Sequence, residues 1–328
     1  MTKTAAFFSW VLFFPIFGIA QTCKEVDLRP KMGPIQNQNG MSWCFAYSAS
    51  DIVSFHLGQR VSPVDIAVQY HRDWAKQQLK KRAVTPQRLR EKRQAEALHE
   101  MAGPLDYAIE AAAPAGFCAA EKINLNDLAI TGRAGVPFAF LDELNMNKFN
   151  YENAETTDCY KFQLIQKLTP WNSFEKIEKI AKENTLADVS GVMINQACGE
   201  RIKPAKPMIV KKIENSYDPA KTSSLTQTQR DQVNRVISGG KPVAILTYLE
   251  KLKIFSTGDE KNLQHAMTIV GKQFNPATGK CEYIVRNSWG PECDSGWKPG
   301  VRCDNNSGYL FVDTDLLEQA TFAAYYIE

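Results

Sequence analysis

The stretch PIQNQNGMSWCFAYSASD at residues 34–51 places a cysteine at the start of a segment with helical periodicity. Apolar residues recur three or four positions apart after Cys44, and Gly58 provides an end for the helix. The free backbone N–H groups and the positive dipole end of a first turn favour a thiolate. Gln38 stands upstream with a side-chain N–H₂ that can donate to an oxygen on the attacked group. The stretch predicts a nucleophilic cysteine; a buried cysteine in a core helix is the alternative.

This stretch resembles the nucleophile segment of the papain-like cysteine peptidases. The family pattern C-G-[SA]-C-[WY] corresponds to Met41-Ser42-Trp43-Cys44-Phe45 in this chain. Met41 stands in place of the family's upstream cysteine, so the family's local disulfide cannot form. Trp43 stands in place of the small residue before the nucleophile. The resemblance is therefore to a divergent, bacterial-looking member of the family.

Two distant segments contain the partners that a cysteine nucleophile needs. Residues 262–271 place His265 at the head of an apolar strand, and residues 282–290 form a strand ending in Asn-Ser-Trp-Gly. The order of these motifs is that of the family. The separation of Cys44 and His265, more than two hundred residues, exceeds the about 130–150 expected for papain-like enzymes. The excess falls in a part of the chain that we interpret as insertions.

The resemblance implies a role for each matching residue. Cys44 would be the nucleophile, His265 the base and Asn287 the group that orients the imidazole. The Gln38 side chain and the Cys44 backbone N–H would hold the oxyanion. Trp289 would shield the His265–Asn287 hydrogen bond from water and is also expected to contact the substrate. The resemblance also implies a resting thiolate–imidazolium pair, which can lower a cysteine pKa to ~3–4, and a thioester intermediate.

Four further positions are assigned to substrate binding by family position. Leu105, Leu246 and Ala266 would line the main specificity pocket, and all three are apolar, which predicts a preference for a hydrophobic side chain. Gly103 would present its backbone to the substrate, because glycine permits a close approach. A loop glycine that precedes a helix is the alternative interpretation of Gly103.

The fold implied by the resemblance is an α+β, papain-like two-lobe fold with a large insertion. A helical N-terminal lobe would carry the cysteine, and an antiparallel, β-barrel-like C-terminal lobe would carry the histidine and the asparagine. Periodicity predicts helices over residues 173–183 and 226–237 and a buried strand over 241–248. Residues of about 72–100 and 118–222 match the family poorly. We expect insertions there rather than a separate domain, within one peptidase domain at 21–328, because no linker-like composition bounds them.

The N-terminus predicts an exported protein, periplasmic or secreted. Lys3 precedes an apolar run at residues 5–20, with Gly18 and Ala20 at a cleavage point, so residues 1–20 are expected to be a signal peptide. A retained anchor is the alternative, although the run is shorter than the ~20 residues of a membrane span. No transmembrane span is expected. The short interval between the cleavage point and Cys44 leaves no room for the family's inhibitory prosegment, so we expect no propeptide.

The cysteine content agrees with an oxidising compartment. The chain has eight cysteines, and setting Cys44 aside as a nucleophile leaves an odd number. At most three bridges and one spare thiol are therefore expected. Cys293 and Cys303 flank a short loop containing glycine and proline and are predicted to pair. The sequence leaves the other pairings open.

The charge is unevenly distributed. The net charge is +3, yet residues 72–93 contain nine basic and two acidic side chains. This segment is a candidate site for an anionic partner, and a solvated helical face is the alternative. Zinc-finger spacing, an RNP motif and a phosphate-binding glycine loop are all missing, which disfavours nucleic-acid binding. No Cys or His pair shows metal-ligand spacing, so no cofactor is expected.

Together these features predict an exported cysteine peptidase, an endopeptidase that hydrolyses peptide or protein substrates through a Cys-His-Asn triad. The alternative from another class is a catalytically silent papain-like protein that binds peptides or a partner protein. A third interpretation is an exopeptidase or transpeptidase in which the insertions block part of the cleft.

Overall fold

The computed structural model describes residues 23–38, 41–82, 102–123, 162–163, 165–166, 173–183, 186–214, 224–254, 263–293 and 295–328. The expected signal peptide and the second half of the basic segment lie outside these ranges. Within them, none of the helices combines the length and the apolar character needed to cross a membrane.

The helices fall in two groups along the chain. Those of the first group precede most of the strands, and the last two are interspersed with them. They are α1 (Arg29–Met32), α2 (Cys44–Leu57), α3 (Pro63–Arg82), α4 (Leu105–Ala112), α5 (Phe174–Glu183), α6 (Leu186–Cys198), α7 (Gln227–Ser238) and α8 (Thr314–Ala320).

The described strands form one antiparallel sheet with the spatial order β2-β8-β3-β4-β5-β7-β6. Strand β1 also pairs with β4, past the point where the first residue of β3 pairs with it. Helices and an antiparallel sheet together make this an α+β protein. The strands are β1 (Val26–Asp27), β2 (Val210–Glu214), β3 (Val243–Tyr248), β4 (Gln264–Asn275), β5 (Lys280–Arg286), β6 (Val301–Cys303), β7 (Leu310–Asp313) and β8 (Thr321–Ile327).

Local sequence signals account for several of these boundaries. Helix α2 begins at Cys44 and ends before Gly58, whose φ of 65° lies in the left-handed region that glycine adopts without a steric penalty. Helix α7 begins with a capping box, in which Thr226 and Gln229 satisfy each other's backbone N–H groups. The predictions of α2, α7, the helix that begins at Phe174 and the buried strand β3 are confirmed.

Strand β3 separates two hydrophobic clusters, because successive side chains of a strand point to opposite faces. Ala244 and Tyr248 contact the cluster that contains α2, α3 and α4. Val243 and Ile245 contact the cluster beneath α7 and α8. The sheet is therefore buried on both faces at β3, next to the strand that carries His265.

The described helices within 118–222 pack into the same cluster as the cysteine helix. Ile177 of α5 and Val189 and Met193 of α6 are buried there. Helix α6 was not foreseen from the sequence: its apolar residues have helical spacing, but Gly191 interrupts the pattern. A buried ion pair links this region to α3, with Arg201 bound to both carboxylate oxygens of Asp65 at 2.9 Å.

Two of the three disulfides join segments that are far apart in the chain, and the third closes a short loop. Cys293–Cys303 confirms the predicted pair. Cys118–Cys198 ties α6 to the residues after α4, and Cys23–Cys281 ties the N-terminal segment to β5. Of the cysteines in the described residues, Cys44 is the one left free. Cys159 lies outside these residues.

Candidate active site

Cys44 is the first residue of α2, and its sulfur faces the head of β4. Desolvation by burial raises the pKa of the Cys44 thiol, while the backbone N–H groups of Ala266, Phe45 and Cys44 itself oppose this shift by favouring the thiolate. Ala266 directly follows His265 in the chain. The cysteine and the histidine, more than two hundred residues apart, are therefore brought to one place. Cys44 keeps part of its surface exposed to solvent.

His265 is held by Asn287 in one defined tautomer. Its Nε2 lies 2.8 Å from Asn287 Oδ1. The same oxygen accepts the Ser288 backbone N–H at 2.8 Å, which identifies it as the amide oxygen rather than the nitrogen. Since Oδ1 can only accept, Nε2 must carry the proton. Nδ1 of the neutral ring is then the unprotonated nitrogen, the form that a base requires.

The environment of His265 disfavours the imidazolium. Desolvation lowers the pKa of His265 to about 4, the Asn287 hydrogen bond acts in the opposite direction, and the charge of Lys253 adds to the lowering. The rise in the pKa of Cys44 has the same origin, because burial penalises both charged forms. These shifts favour a neutral thiol and a neutral imidazole at rest, unlike the ion pair that the resemblance implies.

Trp289 covers the His265–Asn287 pair. Its indole centroid lies 4.7 Å from the imidazole centroid, and Trp297 stacks on it at 5.8 Å with an interplanar angle of 24°. His265 and Asn287 each have only 5% of their surface exposed. An aromatic cover of this kind lowers the local dielectric and strengthens the hydrogen bond beneath it.

Gln38 lies on a segment that pairs with the Asn-Ser-Trp-Gly motif. Its backbone N–H donates to the Ser288 carbonyl at 2.7 Å. Its side-chain Nε2 donates to the Met41 carbonyl at 2.6 Å, and its Oε1 accepts the Ser288 hydroxyl at 2.5 Å. These contacts fix the orientation of the amide and leave the second N–H of Nε2 for another acceptor.

The resemblance implies an oxyanion donor at Gln38. On that basis Ser288→Ala is expected to lower kcat about 3- to 10-fold with little change in KM, because the Gln38 amide loses the donor that fixes its orientation. Steady-state kinetics on a peptide substrate measures this. Ser224→Ala is a matched control, since the Ser224 hydroxyl donates to the Gln319 carbonyl. A raised KM with an unchanged kcat would argue against this role for Ser288.

The residues assigned to the specificity pocket differ in exposure. Leu246 is partly exposed and pairs with Ala266 on β4 and Ala323 on β8. Ala266 has 1% of its surface exposed and Leu105 has none. Of the three, Leu246 is therefore the one that solvent reaches, while Leu105 lies within the hydrophobic cluster against which Leu246 packs. Ala323, one strand across from Leu246, was not identified from the sequence.

Gly103 lies two residues before the start of α4, against an aromatic ring. A Cβ at this position would lie 2.5 Å from the Tyr70 ring carbon Cζ, so any larger residue would displace the ring or the loop. The Tyr70 and Tyr107 rings meet edge to face at 5.5 Å. The absence of a side chain at Gly103 is thus required by packing, whether or not its backbone also contacts a substrate.

Trp43, which replaces a small residue beside the nucleophile, points into the core. None of its surface is exposed, and its ring lies 6.2 Å from that of His71 on α3. The extra volume is accommodated inside the helical cluster. Although Trp43 is bulky and precedes Cys44 in the chain, its side chain therefore does not obstruct the surface at the sulfur.

The basic segment at 72–93 is described only in its first part. Arg72 lies 3.8 Å from Asp188 of α6, in an ion pair between two elements of the fold. Residues 83–93 lie outside the described residues, so an anionic partner there stays a prediction.

No family model matches the chain, and no curated protein sequence matches it. Solved structures with a partly similar backbone include the Amb a 11 cysteine protease, a ragweed pollen allergen, in its proform (13% identity, TM-score 0.43, covering 95% of this chain and 68% of that one). Another is the bromelain protease of Ananas comosus with the E64 inhibitor (11% identity, TM-score 0.42, covering 93% of this chain and 98% of that one). A third is digestive procathepsin L 3 of Tenebrio molitor larval midgut (12% identity, TM-score 0.41, covering 93% of this chain and 69% of that one). At TM-scores below 0.5 the likeness does not by itself establish a common fold.

Proposed function

We propose that this protein is an exported cysteine peptidase that hydrolyses peptide bonds through Cys44, His265 and Asn287. One observation supports the proposal above all: an imidazole, oriented by an amide oxygen at 2.8 Å, lies at the strand position next to the backbone N–H that faces the Cys44 sulfur. A nucleophile, a base and a group that orients the base are the three parts that acyl transfer requires.

In the first step, the Cys44 sulfur attacks the carbonyl carbon of a peptide bond while His265 Nδ1 takes the thiol proton. Because burial favours both neutral forms at rest, the proton moves to the ring as the sulfur attacks rather than beforehand. The imidazolium that forms is stabilised by its Nε2–H bond to Asn287. The negative charge passes to the carbonyl oxygen of a tetrahedral intermediate.

The oxyanion is held by the second N–H of the Gln38 side chain and the backbone N–H of Cys44. A donor of this kind contributes ~3–4 kcal/mol to the transition state. Collapse of the intermediate expels the amine, which takes the proton from His265, and leaves a thioester on Cys44. Water, deprotonated by the same imidazole, then hydrolyses the thioester and restores the thiol.

The substrate is proposed to lie in a cleft between a helical lobe and a β-barrel-like lobe of a papain-like fold. Leu246 and Ala266 would provide apolar walls for one substrate side chain, with Ala323 on the strand beside them. Gly103 would flank the substrate backbone from the opposite side. The pocket is expected to accept a hydrophobic residue, because none of these side chains offers a charge.

Export is proposed from the N-terminal sequence together with the covalent framework. The three disulfides engage six of the eight cysteines. Bridges of this number are typical of oxidising compartments and are rare in the cytosol. The signal peptide at residues 1–20 would direct the chain there.

The silent, peptide-binding alternative is favoured by one observation. Burial raises the pKa of the Cys44 thiol, which reduces the fraction of thiolate at neutral pH. A protein that binds peptides without cleaving them would show the same site geometry. The two functions are separated by products, since only the peptidase cuts the peptide.

The proposal is tested by incubating the purified full chain with a long unstructured peptide and identifying the products by mass spectrometry. Internal cuts next to hydrophobic residues are expected, as for an endopeptidase. Stepwise loss of residues from one end would instead indicate an exopeptidase. An uncut peptide that still binds would reject hydrolysis and favour the silent alternative.

The pH profile of kcat/KM is expected to have its acid limb near pH 4. Burial lowers the pKa of His265 to about 4, so the imidazole is protonated, and lost as a base, only below that pH. The rate is expected to rise through this pH and to be nearly constant toward neutrality. Initial rates from pH 3 to 8 on a neutral peptide measure it, and an acid limb centred at about 6 would contradict the burial of the ring.

A further inference from the structure

Lys253 lies on a stretch that pairs with the segment carrying Trp297. The two residues form an antiparallel bridge, and the backbone N–H of Ile254 donates to the Gly296 carbonyl at 2.7 Å. A disulfide closes the loop that contains Trp297. The backbone of Lys253 is thereby held next to the aromatic cover of the site, although no catalytic motif includes this residue.

The Lys253 ammonium lies over both indoles of that cover. Its Nζ is 5.0 Å from the ring centroid of Trp289 and 5.3 Å from that of Trp297. His265 contacts Trp289 at 4.7 Å between centroids. A cation within about 6 Å of an indole centroid is attracted by the negative face of the ring. Ammonium, indoles and imidazole therefore form one contiguous assembly.

We propose that Lys253 is a positioning residue for the imidazole, an ammonium clamped on the two indoles that keeps a positive charge beside the His265–Asn287 pair. This deepens the proposed peptidase function and rests on it for its catalytic consequence. The distances from the Lys253 ammonium to the two indoles, and from Trp289 to the imidazole, place this charge near the His265 ring.

The consequence of this charge is that the ring resists protonation. Lys253 Nζ and the imidazole centroid are less than about 10 Å apart, because both lie within 5.0 Å of the same indole centroid. At an effective dielectric of about 20, a unit charge at that distance alters a proton equilibrium by about one pH unit. The lowered pKa of His265 has burial as its largest cause and Lys253 as a further one.

The other charged or titratable groups of the described residues near this assembly are otherwise engaged. The Cys44 thiol on α2 lies at the Ala266 backbone N–H, next to His265 in the chain, and burial raises its pKa. Arg286, directly before Asn287, is bound to Asp51 at 2.8 Å. Lys298, beside Trp297, donates its ammonium to the backbone carbonyl of Glu250. The Lys253 charge lowers the pKa of His265.

The test follows the protonation of His265 by NMR, using the Cε1–H signal in the full chain, with the resonance assigned from the loss of a signal in His265→Gln. Lys253→Met is expected to raise the titration midpoint of His265 by about one pH unit. Lys253→Arg, which keeps the charge and the ring contact, is expected to restore the wild-type midpoint. Lys251→Met removes a lysine that donates to the Gln319 carbonyl instead, and should leave the midpoint unchanged.

An unchanged midpoint in both Lys253→Met and Lys253→Gln, with folded spectra, would overturn the proposal. An equal shift in Lys251→Met would also overturn it, because the effect would then be one of net charge. The titration does not depend on turnover, so it gives its answer even if the protein fails to cut peptides. With activity present, the acid limb of kcat/KM is expected to move upward in Lys253→Met by the same amount as the midpoint.

Discussion

Cys44→Ala is expected to reduce peptide hydrolysis by about four to six orders of magnitude, as removal of a covalent nucleophile does. The variant should fold normally, because the sulfur takes part in none of the three disulfides. Its expected defect lies in kcat, while peptide binding is kept. Progress curves at high enzyme concentration, together with a binding assay on the same peptide, separate the two quantities.

Cys159→Ala is the matched control for this experiment. It removes the other cysteine that is outside the three disulfides, and it should leave the rate unchanged. The rate of peptide hydrolysis in His265→Ala is expected to be nearly as low as in Cys44→Ala. The double variant should be no slower than either single variant, because nucleophile and base act as a unit. A Cys44→Ala variant that retains a substantial rate would exclude a thioester on this sulfur.

Arg286→Met is expected to lower the free energy of unfolding by about 3–5 kcal/mol, the typical cost of removing one partner of a buried ion pair. The Arg286 side chain is 3% exposed and binds Asp51 of α2 at 2.8 Å. It also donates to the backbone carbonyls of Gly33 and Pro34 at 2.8 and 2.5 Å. One guanidinium therefore joins the cysteine helix, the segment before Gln38 and the strand that leads to Asn287.

Urea unfolding with the disulfides intact measures this loss. Arg29→Met is the matched control, because Arg29 pairs with Asp27 at the surface, where an ion pair contributes about 1 kcal/mol or less. Adding Asp51→Leu to Arg286→Met should recover part of the stability, since no charge is then left buried without a partner. If Arg286→Met costs no more than Arg29→Met, the arginine does not hold these segments together.

The loss in Arg286→Met should also depend on pH. Burial raises the pKa of Asp51 even beside the guanidinium, so the carboxyl without its partner can relieve the penalty by taking up a proton. The difference from the wild type is therefore expected to be smaller in acid than at neutral pH. A difference that grows as the pH falls would contradict this account of the pair.

Local signals were sufficient to predict several elements and to nominate residues for the proposed site. Helix α2 begins at Cys44 because the apolar repeat starts there, and His265 heads a strand because an apolar run follows it. The pairing of Cys293 with Cys303 followed from their separation by a short loop. Each of these features depends on residues that are close together in the chain.

Long-range partners could not be predicted in the same way. Arg286 and Asp51 are 235 residues apart, and nothing in either local pattern specifies the other. The bond between Ser288 and Gln38 spans 250 residues. Lys253 carries no motif, and its position over the indoles depends on a backbone bridge to Trp297. Such contacts are set by the packing of the whole chain, which periodicity does not encode.

The electrostatics of the site illustrate the same limit. The start of a helix favours a thiolate, and that signal is local. Burial by residues from distant segments acts against it and raises the pKa of Cys44. It also lowers the pKa of His265 to about 4. The net effect on both pKa values depends on the tertiary structure, which the local sequence pattern does not contain.

The most direct test of the triad is to treat the protein with a peptidyl epoxide or vinyl sulfone and to map the adduct by mass spectrometry. One adduct per chain is expected, on Cys44, with its rate of formation greatly reduced in His265→Ala because the thiol has lost its base. An adduct on Cys159 instead, or equal labelling of Cys44 with and without His265, would contradict the pairing of sulfur and imidazole on which the proposed function depends.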